Sequence, residues 1–128
     1  MNINYLFTDK APKPIGPYSQ AVEAGDFIYI SGQIPLCPES GEVIGVDIAG
    51  QTKAALANLK MILENADLNF YSLVKTTVFL TDINNFSKFN EIYQQELGGA
   101  APARSVVEVS ALPKKVLVEI EAAAYKCT

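Results

Sequence analysis

Four charged side chains sit inside what reads as strand sequence: Arg104, Glu108, Glu119 and Glu121 in PARSVVEVSALPKKVLVEIEAAAY, residues 102–125. Charged residues are rarely fully buried unless paired, and strands favour β-branched and aromatic residues. A guanidinium beside carboxylates can serve two ends. It can form a cross-strand ion pair on a solvated face, worth about 0.2–1 kcal/mol. It can also grip a small anion in its planar fork while an acid side chain handles protons.

Register decides whether these groups can meet. In strand 103–109 one face carries Arg104, Val106 and Glu108; the other carries Ala103, Ser105, Val107 and Val109. In strand 116–125 one face is wholly apolar (Val116, Val118, Ile120, Ala122, Ala124), and the opposite face holds Leu117, Glu119, Glu121, Ala123 and Tyr125. If the two strands form an antiparallel hairpin, a slip by one residue exchanges the faces. Joining the apolar faces puts Val107 and Val109 with Val116 and Val118, and Arg104 with Glu119 and Glu121. Parity sets Glu121 beside Glu119 as a second acid, and Glu108 reads as a solvated charge. If an oligomer interface dries this face, Arg104 calls for an anion, and a small carboxylate ligand would serve.

Composition limits the other chemistry on offer. The chain has no histidine and two isolated cysteines, Cys37 and Cys127. It therefore lacks the usual nucleophile–base partner and the commonest metal ligand, and two separate cysteines make neither a disulfide framework nor a zinc site. Cys37, between prolines, reads as an incidental loop thiol. A net charge of −4 argues against a nucleic-acid partner, which would need clustered Lys and Arg. The longest basic run, Lys114-Lys115, reads as solvated turn lysines. No apolar run approaches the roughly 20 residues that span a bilayer. The N-terminus shows no basic-then-apolar leader, so a cytoplasmic location is the default expectation.

The elements that must position these residues follow from periodicity. At 128 residues the chain reads as a single domain, 1–128. Residues 1–17, punctuated by Pro12, Pro14 and Pro17, read as irregular. YSQAVEAGDFIYIS (18–31) reads as two strands around a Gly25-Asp26 turn. Ile48, Thr52, Ala55, Leu59, Ile62 and Ala66 recur at helical spacing after Asp47, a fair N-cap. LVKTTVFL (73–80) is a strand. A second helix carries Phe86, Phe89, Tyr93 and Leu97 on a core-facing side and stops at Gly98. The order ββαβαββ predicts an α+β fold, with two helices on one face of a six-stranded mixed sheet.

The other face is far from polar. Strand 73–80 would place Val74 and Val78 on one side, with Leu73 and Phe79 on the other. Phe27 and Tyr29 oppose Ile28 and Ile30. A sheet apolar on both faces must be covered on both. A second copy of the chain is the expected cover, and the N-terminal arm is the alternative.

Several ungapped blocks in order carry a resemblance: IGPYSQAV (15–22), ISGQIP (30–35), VKTTVFLTDINNFSKFNEIY (74–93), PARSVVEV (102–109) and LPKKVLVEIEAAA (112–124). Over nearly its whole length the chain resembles the RidA, or YjgF-type, family of reactive intermediate deaminases. The resemblance implies a chorismate-mutase-like subunit, a homotrimer with ligand clefts between adjacent subunits, and no cofactor or metal. It implies hydrolysis of 2-imino acids such as 2-iminobutanoate and 2-iminopropanoate to 2-oxo acids and ammonia. The imines, which also exist as enamines, would come from pyridoxal-phosphate-dependent threonine or serine dehydratases.

Carried over by position, the resemblance makes Arg104 the carboxylate clamp and Glu119 the residue that orients water. Tyr18 would wall the site and donate a hydrogen bond, with Ser31, Gly32 and Asn90 near the ligand. Many bacterial members have a cysteine two residues after the arginine; here Val106 stands there, and other members also lack the cysteine. Since the role ascribed to that position runs through backbone, Val106 can substitute, though not in any function that needs a reactive thiol. Plainer roles exist for two of these residues: a Tyr after Pro often opens a strand, and Asn90 could cap or bridge a loop. A non-catalytic trimer that binds small carboxylates and regulates a metabolic enzyme is the alternative function. RNA cleavage, suggested for some relatives, fits poorly with the acidic charge and missing histidine.

Overall fold

The computed structural model describes residues 3–126, so Cys127 lies outside the described residues. Six strands and two α-helices follow one another: β1 (Ile3–Leu6), β2 (Ala21–Ala24), β3 (Phe27–Gln33), α1 (Ile48–Asn65), β4 (Leu73–Leu80), α2 (Phe86–Leu97), β5 (Ala103–Glu108) and β6 (Val118–Tyr125). They form one mixed sheet in the order β1-β2-β3-β6-β4-β5. The order ββαβαββ counts only five strands. The sixth is β1, from the arm expected to be irregular, which pairs antiparallel with β2 at the sheet edge. That arm extends the sheet instead of covering it.

Local chemistry explains the boundaries. The Asp47 side chain accepts from Gly50 N at 2.9 Å and caps α1. Gly98, at φ 65°, ends α2 in the left-handed conformation that glycine tolerates. The apolar stripes of α1 and α2 pack with Ile28, Ile30, Val78, Val118, Ile120 and Ala124 in one core, where each fully buried Leu, Ile or Phe contributes about 1.5–3 kcal/mol. Val116, Val118, Ile120, Ala122 and Ala124 are all buried, as their alternation predicts.

Two expectations fail here for identifiable reasons. The hairpin of β5 with β6 does not form. β4 lies between them, parallel to β5 and antiparallel to β6. The wholly apolar face of β6 suits the sheet centre, whereas β5, with Arg104 and Glu108, takes an edge where charge is tolerated. Val107 consequently lies on the opposite face from Val116 and Val118 and is exposed. In β4, the register shift between Leu73 and Lys75 inserts an extra residue. Leu73 and Val78 are therefore both buried while Val74 is exposed, the reverse of plain alternation.

The face away from the helices stays open. Tyr5 is 78% exposed and Tyr29 53%, joined there by Phe27, Tyr125 and Val107. Phe27 and Tyr125 meet edge-on, with ring centroids 5.3 Å apart. Phe27 also lies 6.4 Å from Tyr29, so three exposed rings cluster on this face, the kind of apolar surface that interaction sites use.

Candidate active site

A cleft of about 360 Å³ opens where the loop before β2 crosses the end of β3 and the start of β6. Tyr18, Ser31, Gly32 and Glu119 all line it, together with Pro12, Lys13 and Ile15. Four of the seven expected site residues thus converge. Gln20, buried and overlooked in the sequence, organises this wall. Its Oε1 accepts from Thr8 N at 2.7 Å, and its Nε2 donates to the carbonyls of Thr8 at 3.0 Å and Pro12 at 2.9 Å. A glutamine inside an otherwise strand-like run, YSQAV, was the available signal.

Ser31 and Gly32 occupy a bulge. Ile30 faces Ala122 and Gln33 faces Ile120, so β3 spends one more residue than β6 over this stretch. Bulges re-aim side chains beside functional sites. The Ser31 hydroxyl donates to the Ser19 carbonyl at 2.6 Å and ties the bulge to the Tyr18 loop. Gly32 leaves room for Glu119. A Cβ built at Gly32 would lie 2.7 Å from the Glu119 Cδ and 2.9 Å from its Cγ.

Glu119 is half-buried, and no hydrogen bond or ion pair to its carboxylate is found among the described residues. Burial, and secondarily the neighbouring charge of Glu121, hold its carboxyl above the ordinary carboxylate range. Parity places Glu121 beside it, exposed. Such a carboxylate is a better proton acceptor near neutral pH than an ordinary surface glutamate.

The raised value has a stability consequence. Between the unfolded and folded pKa the folded chain binds the extra proton, so the stability associated with this group is present below that window and lost as pH rises through it. Glu119→Gln removes the titration. Melting temperatures of the two proteins should converge in acid and diverge above the ordinary glutamate range, with the Gln variant higher. A parent that overtakes the variant as pH rises would contradict this assignment.

Arg104, Asn90 and Val106 form a second group elsewhere. In register Arg104 faces Thr76, and Val106 faces Val78, on the helix side of the sheet. Glu119 faces Phe79 on the opposite side. The expectation that Arg104 shares a face with Glu119 and Glu121 is therefore wrong within one chain, because the strand inserted between β5 and β6 sets their relative parity. Asn90 on α2 neither caps a helix nor bridges a loop: its Oδ1 accepts from Arg104 Nη1 at 2.8 Å. Among the described residues no carboxylate pairs with Arg104. Glu108 is exposed as expected, and its Oε1 accepts from Ile83 N at 2.8 Å, securing the turn before α2. Phe86, expected in the core, is 37% exposed and borders Arg104.

Fold and cleft together define a small α+β ligand-binding protein whose site opens beside an uncovered sheet face. Residues 8–126 match the family model described as endoribonuclease L-PSP. A RutC family protein of Pyrococcus abyssi is 55% identical over 94% of this chain and 95% of its own. The human 2-iminobutanoate/2-iminopropanoate deaminase is 50% identical over 94% of this chain and 88% of its own. The crystal structure of E. coli TdcF with bound serine superposes with a TM-score of 0.92 at 42% identity, covering 97% of this chain and 99% of that one. The chain belongs to the RidA (YjgF-type) family.

Proposed function

We propose that this protein hydrolyses 2-imino acids such as 2-iminobutanoate and 2-iminopropanoate to 2-oxo acids and ammonia. We further propose a homotrimer in which the Tyr18–Ser31–Gly32–Glu119 cleft of one subunit is completed by Arg104, Asn90 and Val106 of a neighbour. The observation that carries the reading is the half-buried Glu119 carboxylate, without a hydrogen-bond or ion-pair partner among the described residues and laid against Gly32 in the cleft. The open aromatic sheet face supports the assembly. One carboxylate alone cannot hold an anionic substrate, and Arg104 supplies the complementary group.

The chemistry asks little of the protein. The C=N carbon of a protonated imine is already electrophilic, so placing a water beside it does most of the work. Arg104 holds the substrate carboxylate. Glu119 takes a proton as the water oxygen bonds to C2, and the tetrahedral aminoalcohol forms. Glu119 returns its proton to nitrogen and then takes the proton of the C2 hydroxyl as the C–N bond breaks, so that ammonia leaves and C2 becomes a carbonyl. Tyr18 walls the cleft and donates a hydrogen bond. Pyridoxal-phosphate-dependent dehydratases acting on threonine or serine would supply such imines, and a cytoplasmic location is part of this proposal.

The direct test generates the imine with threonine dehydratase and traps it with semicarbazide. This protein should reduce the trapped product as it hydrolyses the imine, and an unchanged yield would refute the activity. Light scattering on the eluting peak should return three times 13.8 kDa; a monomer would remove the shared cleft. Gly32→Ala should slow hydrolysis by about tenfold or more while melting near the parent temperature, since the atoms nearest the methyl belong to the Glu119 side chain from Cγ outward and not to backbone. Native turnover in that variant would mean the carboxylate position is immaterial.

One observation favours a second reading, a carboxylate-binding regulator without turnover: the relative TdcF has been crystallised with serine bound. Binding requires Arg104 in both readings, and only hydrolysis requires Glu119. Against RNA cleavage stand the net charge of −4 and the lack of histidine.

A further inference from the structure

We infer that Tyr93, pinned by Thr76, is a positioning residue that holds Arg104 ready for a carboxylate; the inference rests on the reading of Arg104 as the substrate clamp. The Arg104 guanidinium carbon lies 4.9 Å from the Tyr93 ring centroid, 5.7 Å from that of Phe86 and 6.0 Å from that of Phe89. These rings recur at helical spacing on α2 and run from the buried Phe89 and Tyr93 to the exposed Phe86. The stripe reads as ordinary core, yet its outer end forms a bracket for a cation.

The bracket is anchored to the strand beside the arginine's own. Tyr93 Oη and Thr76 Oγ1 share a hydrogen bond of 2.7 Å, Thr76 is fully buried, and Thr76 is the register partner of Arg104. Burial pushes the Tyr93 phenol up, against the opposing effects of the Thr76 bond and the Arg104 charge, so it remains a neutral hydroxyl at working pH. A hydroxyl pair of this kind fixes the ring's rotation as well as its depth.

Aromatic rings do something here that an acidic partner could not. A carboxylate would neutralise the guanidinium and occupy its N–H fork. Rings attract the cation through their quadrupoles and use none of its five donors. Asn90 engages one nitrogen, Nη1. Among the described residues no carboxylate neutralises the charge and no acceptor besides Asn90 engages the fork, which favours capture of a ligand carboxylate. Sequence spacing alone shows the rings but not the Thr76 anchor.

The test measures 2-oxobutanoate binding by calorimetry, and 2-iminobutanoate hydrolysis, in a Thr76→Val/Tyr93→Phe double variant. This pair removes the hydrogen bond without orphaning a buried hydroxyl. Its melting temperature should stay near that of the parent. Its Kd should weaken by about three- to tenfold, with a matching rise in KM and a nearly constant kcat, the signature of lost uniform binding. A purely structural role would shift melting and leave Kd alone. Phe86→Leu, at the exposed rim, should weaken binding by about threefold without a folding cost. Kd within twofold of the parent in the folded double variant overturns the inference. If the double variant does not fold, Phe86→Leu decides by the same criterion. Arg104→Ala runs in parallel: if it also binds normally, the clamp reading itself fails, whereas loss there with intact binding in the ring variants removes the inference alone.

Discussion

Arg104→Ala is expected to lower kcat/KM for 2-iminobutanoate by about two to three orders of magnitude while the protein still folds. Truncating one partner of a desolvated charge pair costs about 2–5 kcal/mol, much of it from the charge left without a counterpart. Here that stranded charge would be the substrate carboxylate inside the shared cleft. The folded chain itself loses little. Arg104 lies on an edge strand, with one hydrogen bond to Asn90 and contacts to three rings. Asn90 is only partly buried, so water can replace the lost donor. Arg104→Lys should recover a fraction of the activity, because an ammonium restores the charge without the bidentate fork. Native hydrolysis by the alanine variant would sink the assignment.

Glu119→Gln separates chemistry from binding. The side chain keeps its shape against Gly32 and loses its capacity to accept a proton. Hydrolysis should fall by about a hundredfold or more, within the range for losing a general base, while the Kd for 2-oxobutanoate should stay within about twofold of the parent. The same variant should melt higher at neutral pH, since burial and Glu121 disfavour the ionised carboxylate in the folded state. Higher stability with lower activity would mark Glu119 as a strained functional group. Full turnover in the Gln variant would mean that the water is activated elsewhere, and a regulator without turnover would show unchanged binding and no rate to lose.

Much of this protein is legible from local pattern. The stripe of α1, the Asp47 cap, the Gly98 stop, the Gly25-Asp26 turn and the buried face of β6 depend on side chains within a few positions of one another. Periodicity reports such relations directly. The open face of the sheet was also foreseeable, because Phe27 and Tyr29 alternate with Ile28 and Ile30 and two helices can cover only one side. Among the site residues, Tyr18, Ser31, Gly32 and Glu119 were named from sequence and lie in one cleft.

What the chain order could not reveal is which strand lies beside which. Arg104 and Glu119 are close in sequence, and a hairpin was the simplest way to join their strands. Tertiary structure instead slides β4 between them, because α2 carries β5 back parallel to β4 and the apolar face of β6 is worth most at the sheet centre. That insertion sends the guanidinium to one face and the carboxylate to the other. The same long-range packing set the bulges at Val74 and at Ser31-Gly32, and it brought Thr76 to Tyr93. Residue types and periodicity are local quantities and can be read along the chain. Strand neighbours and face parity depend on burial summed over the whole sheet, which only the folded molecule resolves.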